Sequence, residues 1–163
     1  MPDRRPLIEE LSPAPAVVDA LAALADRPGV VLLDSALRDA ERGRYSFLMS
    51  DPQRLYVRDR ATHGDDPFGE FRAGLAEHRQ DPVAGLPPFQ GGIAGLLGYE
   101  LGACWERLPA AAIDDFAMPV VCAGLYDSVV TWDHVLERCW IIVQPFARVP
   151  RTRLAELRKR LQS

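Results

Sequence analysis

Only one of the 19 basic residues is a lysine, Lys159, and the chain contains no asparagine. Any lysine nucleophile or Schiff base would therefore have to be Lys159. Cysteine is scarce: Cys104, Cys122 and Cys139 are odd in number and far apart, with no C-x-x-C pair. That pattern excludes a disulfide framework and the usual structural zinc site, and it leaves reduced, mostly packed thiols. No run approaches the ~20 apolar residues that span a bilayer. Met1–Pro6 lacks the apolar stretch of a signal peptide, so the expected compartment is the cytoplasm, away from the membrane. Basic excess is also missing. A net charge of −4 argues against a nucleic-acid binder, whose affinity comes from a clustered basic face.

What is present suits one folded domain spanning residues 1–163. Nearly half of the residues are apolar, enough for a core, and no repeat or Pro/Gly/Ser-rich linker divides the chain. Ser12-Pro13 reads as a helix start, with a capping hydroxyl followed by a proline. Val17, Leu21 and Leu24 then form one stripe, ended by Pro28-Gly29. Short β-branched or aromatic runs predict strands at Val30–Leu33, Tyr45–Met49 and Leu55–Val57, with Arg38–Gly43 an exposed loop. Phe68, Phe71 and Leu75 mark a second helix. Strands follow at Val120–Tyr126, Val129–Trp132 and Cys139–Val143, with Asp127-Ser128 and Asp133–Arg138 as turns. Leu154, Leu157 and Leu161 line a last helix whose other faces carry five basic residues. Strands separated by turns favour antiparallel pairing, so the expected class is α+β: an antiparallel sheet or sandwich with a few flanking helices.

The segment Gly91–Gly102 holds five of the 12 glycines. It does not meet the requirements of a phosphate loop, because no G-x-G-x-x-G or G-K-[ST] occurs in it. Its physical reading is a strand in which missing side chains admit a second backbone. No serine among Ser12, Ser35, Ser46, Ser50, Ser128 and Ser163 sits in a G-x-S-x-G elbow. His63, His78 and His134 are scattered without a visible orienting partner, which favours solvated or capping roles. Asp114-Asp115, Asp127 and Asp133 read as turn formers. The residues alone thus name no catalytic set and no metal ligands.

Leu86-Pro87-Pro88-Phe89-Gln90-Gly91-Gly92-Ile93-Ala94-Gly95-Leu96-Leu97-Gly98-Tyr99-Glu100-Leu101-Gly102 resembles the PF-x-GG-x-x-G-x-x-GY-[DE]-L segment of aminodeoxychorismate synthase component I. That enzyme lies in the anthranilate synthase component I family of chorismate-using enzymes. Trp105–Pro109 resembles the F-E-x-LP that follows in the para-aminobenzoate branch. Met118-Pro119, Gly124–Asp127 and Asp133-His134 resemble later strands. Upstream, Leu32–Ser35 and Arg44–Phe47 resemble the LL-[EDH]-S and R-[YF]-S segments. Asp34 departs toward the anthranilate habit.

The resemblance implies an N-terminal domain that packs against a chorismate-binding catalytic domain absent from this chain. That domain would carry the Mg²⁺ carboxylates and the catalytic lysine, which Lys159 does not match. No catalytic residue, metal ligand or cofactor is therefore expected in this chain, and the chain alone is expected to be inactive. A glutamine amidotransferase component II is implied as ammonia-supplying partner, in folate precursor synthesis. The resemblance also implies an L-tryptophan pocket walled by Leu33, Asp34, Ser35, Tyr45, Ser46 and Phe47. Asp34 would face the ammonium, Ser35 and Ser46 would offer hydroxyls, and the ring would lie on Leu33, Tyr45 and Phe47. Two alternatives are the matching domain of a tryptophan-inhibited anthranilate synthase and a free-standing amino-acid-binding or scaffold domain.

Overall fold

Backbone pairing sorts eight strands into two antiparallel sheets in a computed structural model, which describes residues 5–37, 39, 41–109 and 116–162. Asp114-Asp115, Ser163, Met1–Arg4 and two positions of the expected Arg38–Gly43 loop lie outside the described residues. The larger sheet runs β1-β8-β7-β3-β2, built from Leu7–Leu11, Arg138–Val143, Ser128–Asp133, Tyr45–Met49 and Val31–Leu33. The smaller runs β4-β6-β5, built from Arg54–Arg58, Val121–Tyr126 and Gly92–Leu97. Three α-helices, α1 (Val17–Leu24), α2 (Gly69–Glu77) and α3 (Pro150–Leu161), and a 3₁₀ helix (Tyr99–Cys104) complete the α+β architecture.

Period-two alternation decides what each sheet face meets. On β3, Leu48 turns toward α1 and α3, where it joins Val130, Trp132, Ile141, Leu24 and Leu157. Met49 and the partly buried Phe47 turn the other way, packing with Tyr126, Val129, Trp140, Ile142 and Ala94 between the two sheets. The outer face of the smaller sheet is closed by Phe68 and Phe71 and by Leu101 and Cys104 of the 3₁₀ helix. Leu75, expected on that same stripe, is instead 46% exposed.

Several expectations need correction. The strand Leu7–Leu11 was not foreseen; it pairs along its whole length with β8, Leu7 opposite Val143 and Leu11 opposite Cys139. Ser12 therefore ends a strand, and α1 begins only at Val17 with Ala16 at its N-cap and no side-chain cap. The intervening residues carry the chain from sheet to helix, and Trp132 Nε1–H holds them by donating to Pro15 O at 2.8 Å. Asp127-Ser128 is a crossover between sheets rather than a hairpin turn. Tyr126 ends a strand of the small sheet and Ser128 opens one of the large sheet. Of the three cysteines, Cys104 and Cys139 are buried, but Cys122 is exposed. Burial pushes the Cys139 thiol up to about 12.

Two expectations are met in detail. A Cβ on Gly95 would sit 2.3 Å from Cys122 O and 2.4 Å from Ala123 Cα, so this glycine admits the neighbouring backbone. The leucines of α3 pack inward, while its charges pair within the domain: Arg158 with Glu9 at 3.5 Å and Arg160 with Asp26 at 2.7 Å. Arg153, only 13% exposed, donates to Asp51, Ser128 Oγ and Ser50 O at 2.8–2.9 Å, tying α3 to the sheet. Burial raises the Asp51 carboxyl, but Arg27, Ser50 and Arg153 together hold it below the usual carboxylate range.

Candidate functional site

The end of the β2–β3 pair forms an open groove of about 580 Å³. Leu33, Asp34, Ser35, Tyr45 and Phe47 line it, joined by Glu41, Arg42 and Arg44. Register explains the grouping. Leu33 lies directly opposite Phe47, and Ser35 Oγ–H donates to Tyr45 O at 2.6 Å, so the pairing continues past the strand end. Ser46, the sixth residue of the expected set, does not line the groove. One step along β3 turns its side chain to the opposite face, and it is fully buried.

Ser46 acts instead as a hub beneath the groove. Its hydroxyl donates to Asp34 Oδ1 at 2.7 Å and accepts the Ser35 backbone N–H at 3.1 Å. His134 Nε2 lies 2.7 Å from the same oxygen. With the hydroxyl proton directed at Asp34, the network assigns the Nε2–H to His134 as donor to Ser46. Asp34, Ser46 and His134 have the residue types of a hydrolytic triad in the wrong order. The serine sits between acid and imidazole, buried and with its donor and acceptor positions engaged, so it is no nucleophile. The network fixes the Asp34 carboxylate at the groove.

Arg44 and Asp133 brace the other side. Arg44 Nε donates to both Asp133 oxygens at 3.1 and 3.0 Å, and its Nη2 donates to Oδ2 at 2.6 Å. Asp133 Oδ1 also accepts the N–H groups of Val135 and Leu136, which close the β7–β8 turn. Burial pushes the Asp133 carboxyl up, yet Arg44 and the two backbone donors hold it below the ordinary carboxylate range. The Arg44 guanidinium lies 5.1 Å from the Tyr45 ring centroid. Phe47 meets Phe89 edge to face at 5.7 Å, so the phenylalanine just before the Gly-rich segment supports the groove wall.

The arrangement can hold a small zwitterion with an apolar body. A carboxylate stands on one side, arginines stand nearby, and Leu33, Tyr45 and Phe47 supply apolar surface. The sequence favours a solvated or capping role for His134 over that of a base; in the structure it is half-buried and meets a partner no local pattern shows, the Ser46 hydroxyl. Its place beside Asp133 in a matched segment was the available signal. Asp133 does form the expected turn. Among the described residues no group of three or more His, Cys, Asp or Glu side chains could hold a metal ion. Among them, too, no helix is long and apolar enough to cross a membrane.

No protein-family model matches the chain. Anthranilate synthase component 1 of Mycolicibacterium smegmatis is 34% identical, over 68% of this chain and 23% of its own length. Aminodeoxychorismate synthase component 1 of Escherichia coli is 32% identical, over 68% of this chain and 27% of its own. Among solved structures, anthranilate synthase component I from Streptococcus pneumoniae TIGR4 superposes with a TM-score of 0.58 at 20% identity. That match covers 78% of this chain and 31% of the solved one. The chain spans about a quarter of the length of the curated relatives it matches.

Proposed function

The chain belongs to the anthranilate synthase component I family, and we propose that it is the non-catalytic N-terminal domain of an aminodeoxychorismate synthase component I-like protein. In this reading it braces a chorismate-binding domain and binds L-tryptophan in the β2–β3 groove. The observation that carries the binding role is the convergence of Leu33, Asp34, Ser35, Tyr45 and Phe47 on one open groove. Asp34, held by Ser46, would meet the ligand ammonium; Arg42 or Arg44 would meet its carboxylate; the indole would lie on Leu33, Tyr45 and Phe47. The open outer side of the groove is where a second domain would complete the site.

The Mg²⁺ carboxylates and catalytic lysine belong, in this proposal, to that second domain. A glutamine amidotransferase component II would supply ammonia to it, toward para-aminobenzoate and folate. The segment Gln90–Pro109 favours this branch. A second reading, the matching domain of a tryptophan-inhibited anthranilate synthase, is favoured by Asp34 and by the slightly higher identity to an anthranilate synthase.

Calorimetry with L-tryptophan tests the site on this chain alone and on a mixture with a chorismate-binding domain of the family. Binding only in the mixture is the expected result. Binding by the isolated chain would favour a free-standing sensor, and binding in neither sample would remove the tryptophan assignment.

A further inference from the structure

The small sheet is covered on one face and only half covered on the other. Phe68, Phe71, Leu101 and Cys104 close its outer face. On the inner face, the strand period aligns Leu55, Gly124 and Ala94 in one cross-strand row and Val57, Cys122 and Leu96 in the next. The first row is closed from its centre to β5. Ala94 is 8% exposed within the inter-sheet core, and a Cβ on Gly124 would lie 2.7 Å from both Pro52 Cβ and Tyr126 Cζ. The second row is open: Val57 is 56% and Leu96 41% exposed, with the exposed Cys122 between them. Leu55, at the β4 end of the first row, is 54% exposed and joins it.

Charge is kept off this surface. Arg54 and Arg58 alternate with Leu55 and Val57 on β4 and turn to the other side, pairing with Glu77 at 3.9 Å and Asp65 at 3.6 Å. What remains is an apolar strip that runs directly out of the core between the sheets. Scattered exposed apolar side chains need no explanation, but a row across three adjacent strands does. A strip without charge that continues a core has the character of a permanent interface, which resembles a core cut in two.

We propose that the chorismate-binding domain docks on this strip, with Cys122 at the centre of the contact. The proposal rests on the function proposed above and adds the surface through which it operates. About three quarters of each curated relative lies outside the segment this chain matches, so a larger body accompanies that segment in them. The strip also shares a core with the β2–β3 groove, because Phe47 packs on the same inter-sheet cluster as Ala94 and Tyr126. One domain seated along the margin of that core would close the groove and the strip together.

The test reads Cys122 directly, by iodoacetamide alkylation and mass spectrometry of its peptide. It compares the full chain with the Escherichia coli relative carrying this chain in place of its matched segment. Cys122 is expected to react at least about tenfold more slowly in the fusion. Val57→Arg sets an unpaired cation in the contact and should recover about fivefold or more of that rate, whereas Val18→Arg, exposed on α1, should not. A folded fusion in which Cys122 reacts as fast as in the chain alone would overturn the proposal. Its chorismate turnover then reads the underlying function separately: a gain over the relative lacking the segment leaves that function standing, and no gain removes both. Protection of Cys122 in the chain alone, rising with its concentration, would give the strip to a second copy and also overturn the proposal.

Discussion

Replacing Gly95 with alanine adds one methyl group where two strands of the small sheet nearly touch. The new carbon would lie 2.3 Å from Cys122 O and 2.4 Å from Ala123 Cα, about 1 Å or more inside a relaxed contact of ~3.5 Å. Both obstacles belong to the β6 backbone, so no rotamer change relieves them. The strands must part, weakening hydrogen bonds between β5 and β6, its pairing partner. Overpacking of this kind costs up to roughly 3 kcal/mol. For a domain of this size that corresponds to a fall in Tm of roughly 6–12 °C. Urea unfolding followed by far-UV circular dichroism measures the change as a lower midpoint at unchanged slope. Gly64→Ala is the control, since φ there is +90° but no atom lies within 4 Å of the added carbon. Backbone strain alone should cost it about 1 kcal/mol. If Gly95→Ala proves no more damaging than Gly64→Ala, the close approach does not explain this glycine.

Acid should destabilise the domain through Asp51 and Asp133. Their folded pKa values are depressed, so their contribution is complete above the ordinary carboxylate pKa near 4 and is lost as pH falls through the folded values. Asp133→Asn should flatten the stability–pH curve below about pH 4 and cost on the order of 2 kcal/mol at pH 7 by urea unfolding. Arg153→Met leaves Asp51 with one guanidinium fewer and should cost about 3 kcal/mol in the same assay. A chromogenic thiol reagent should titrate one fast thiol in the native protein, Cys122, and three in urea. In the mixture with a chorismate-binding domain, Phe47→Ala should weaken L-tryptophan binding at least about tenfold in calorimetry, given the ring surface it removes.

Local signals in the chain were enough for most elements. Tyr45–Met49 shows the alternation of a strand with two different faces, and the structure gives it those bounds. The strand Leu7–Leu11 escaped because Glu9 and Glu10 interrupt its apolar residues. Its evidence is long-range, since Glu10 forms an ion pair with Arg138 across the sheet. The crossover at Asp127 was hidden for a similar reason: a turn residue between two apolar strands looks the same whether the strands pair or part. In the groove, five residues were legible because their segments sit side by side on β2 and β3. Ser46 fell on the wrong face because the matched segment carries no side-chain direction, whereas the strand period does. His134 needed a partner 88 residues away, which no local pattern contains.

The central claim is that this domain supports chemistry carried out elsewhere. It is tested by chorismate consumption, with ammonia and Mg²⁺, in three preparations. These are this chain alone, the Escherichia coli relative without its matched segment, and that truncated relative fused to this chain. The expected result is no turnover by the chain alone and more turnover by the fusion than by the truncated relative. Turnover by the pure chain, or a folded fusion no faster than the truncated enzyme, would contradict it.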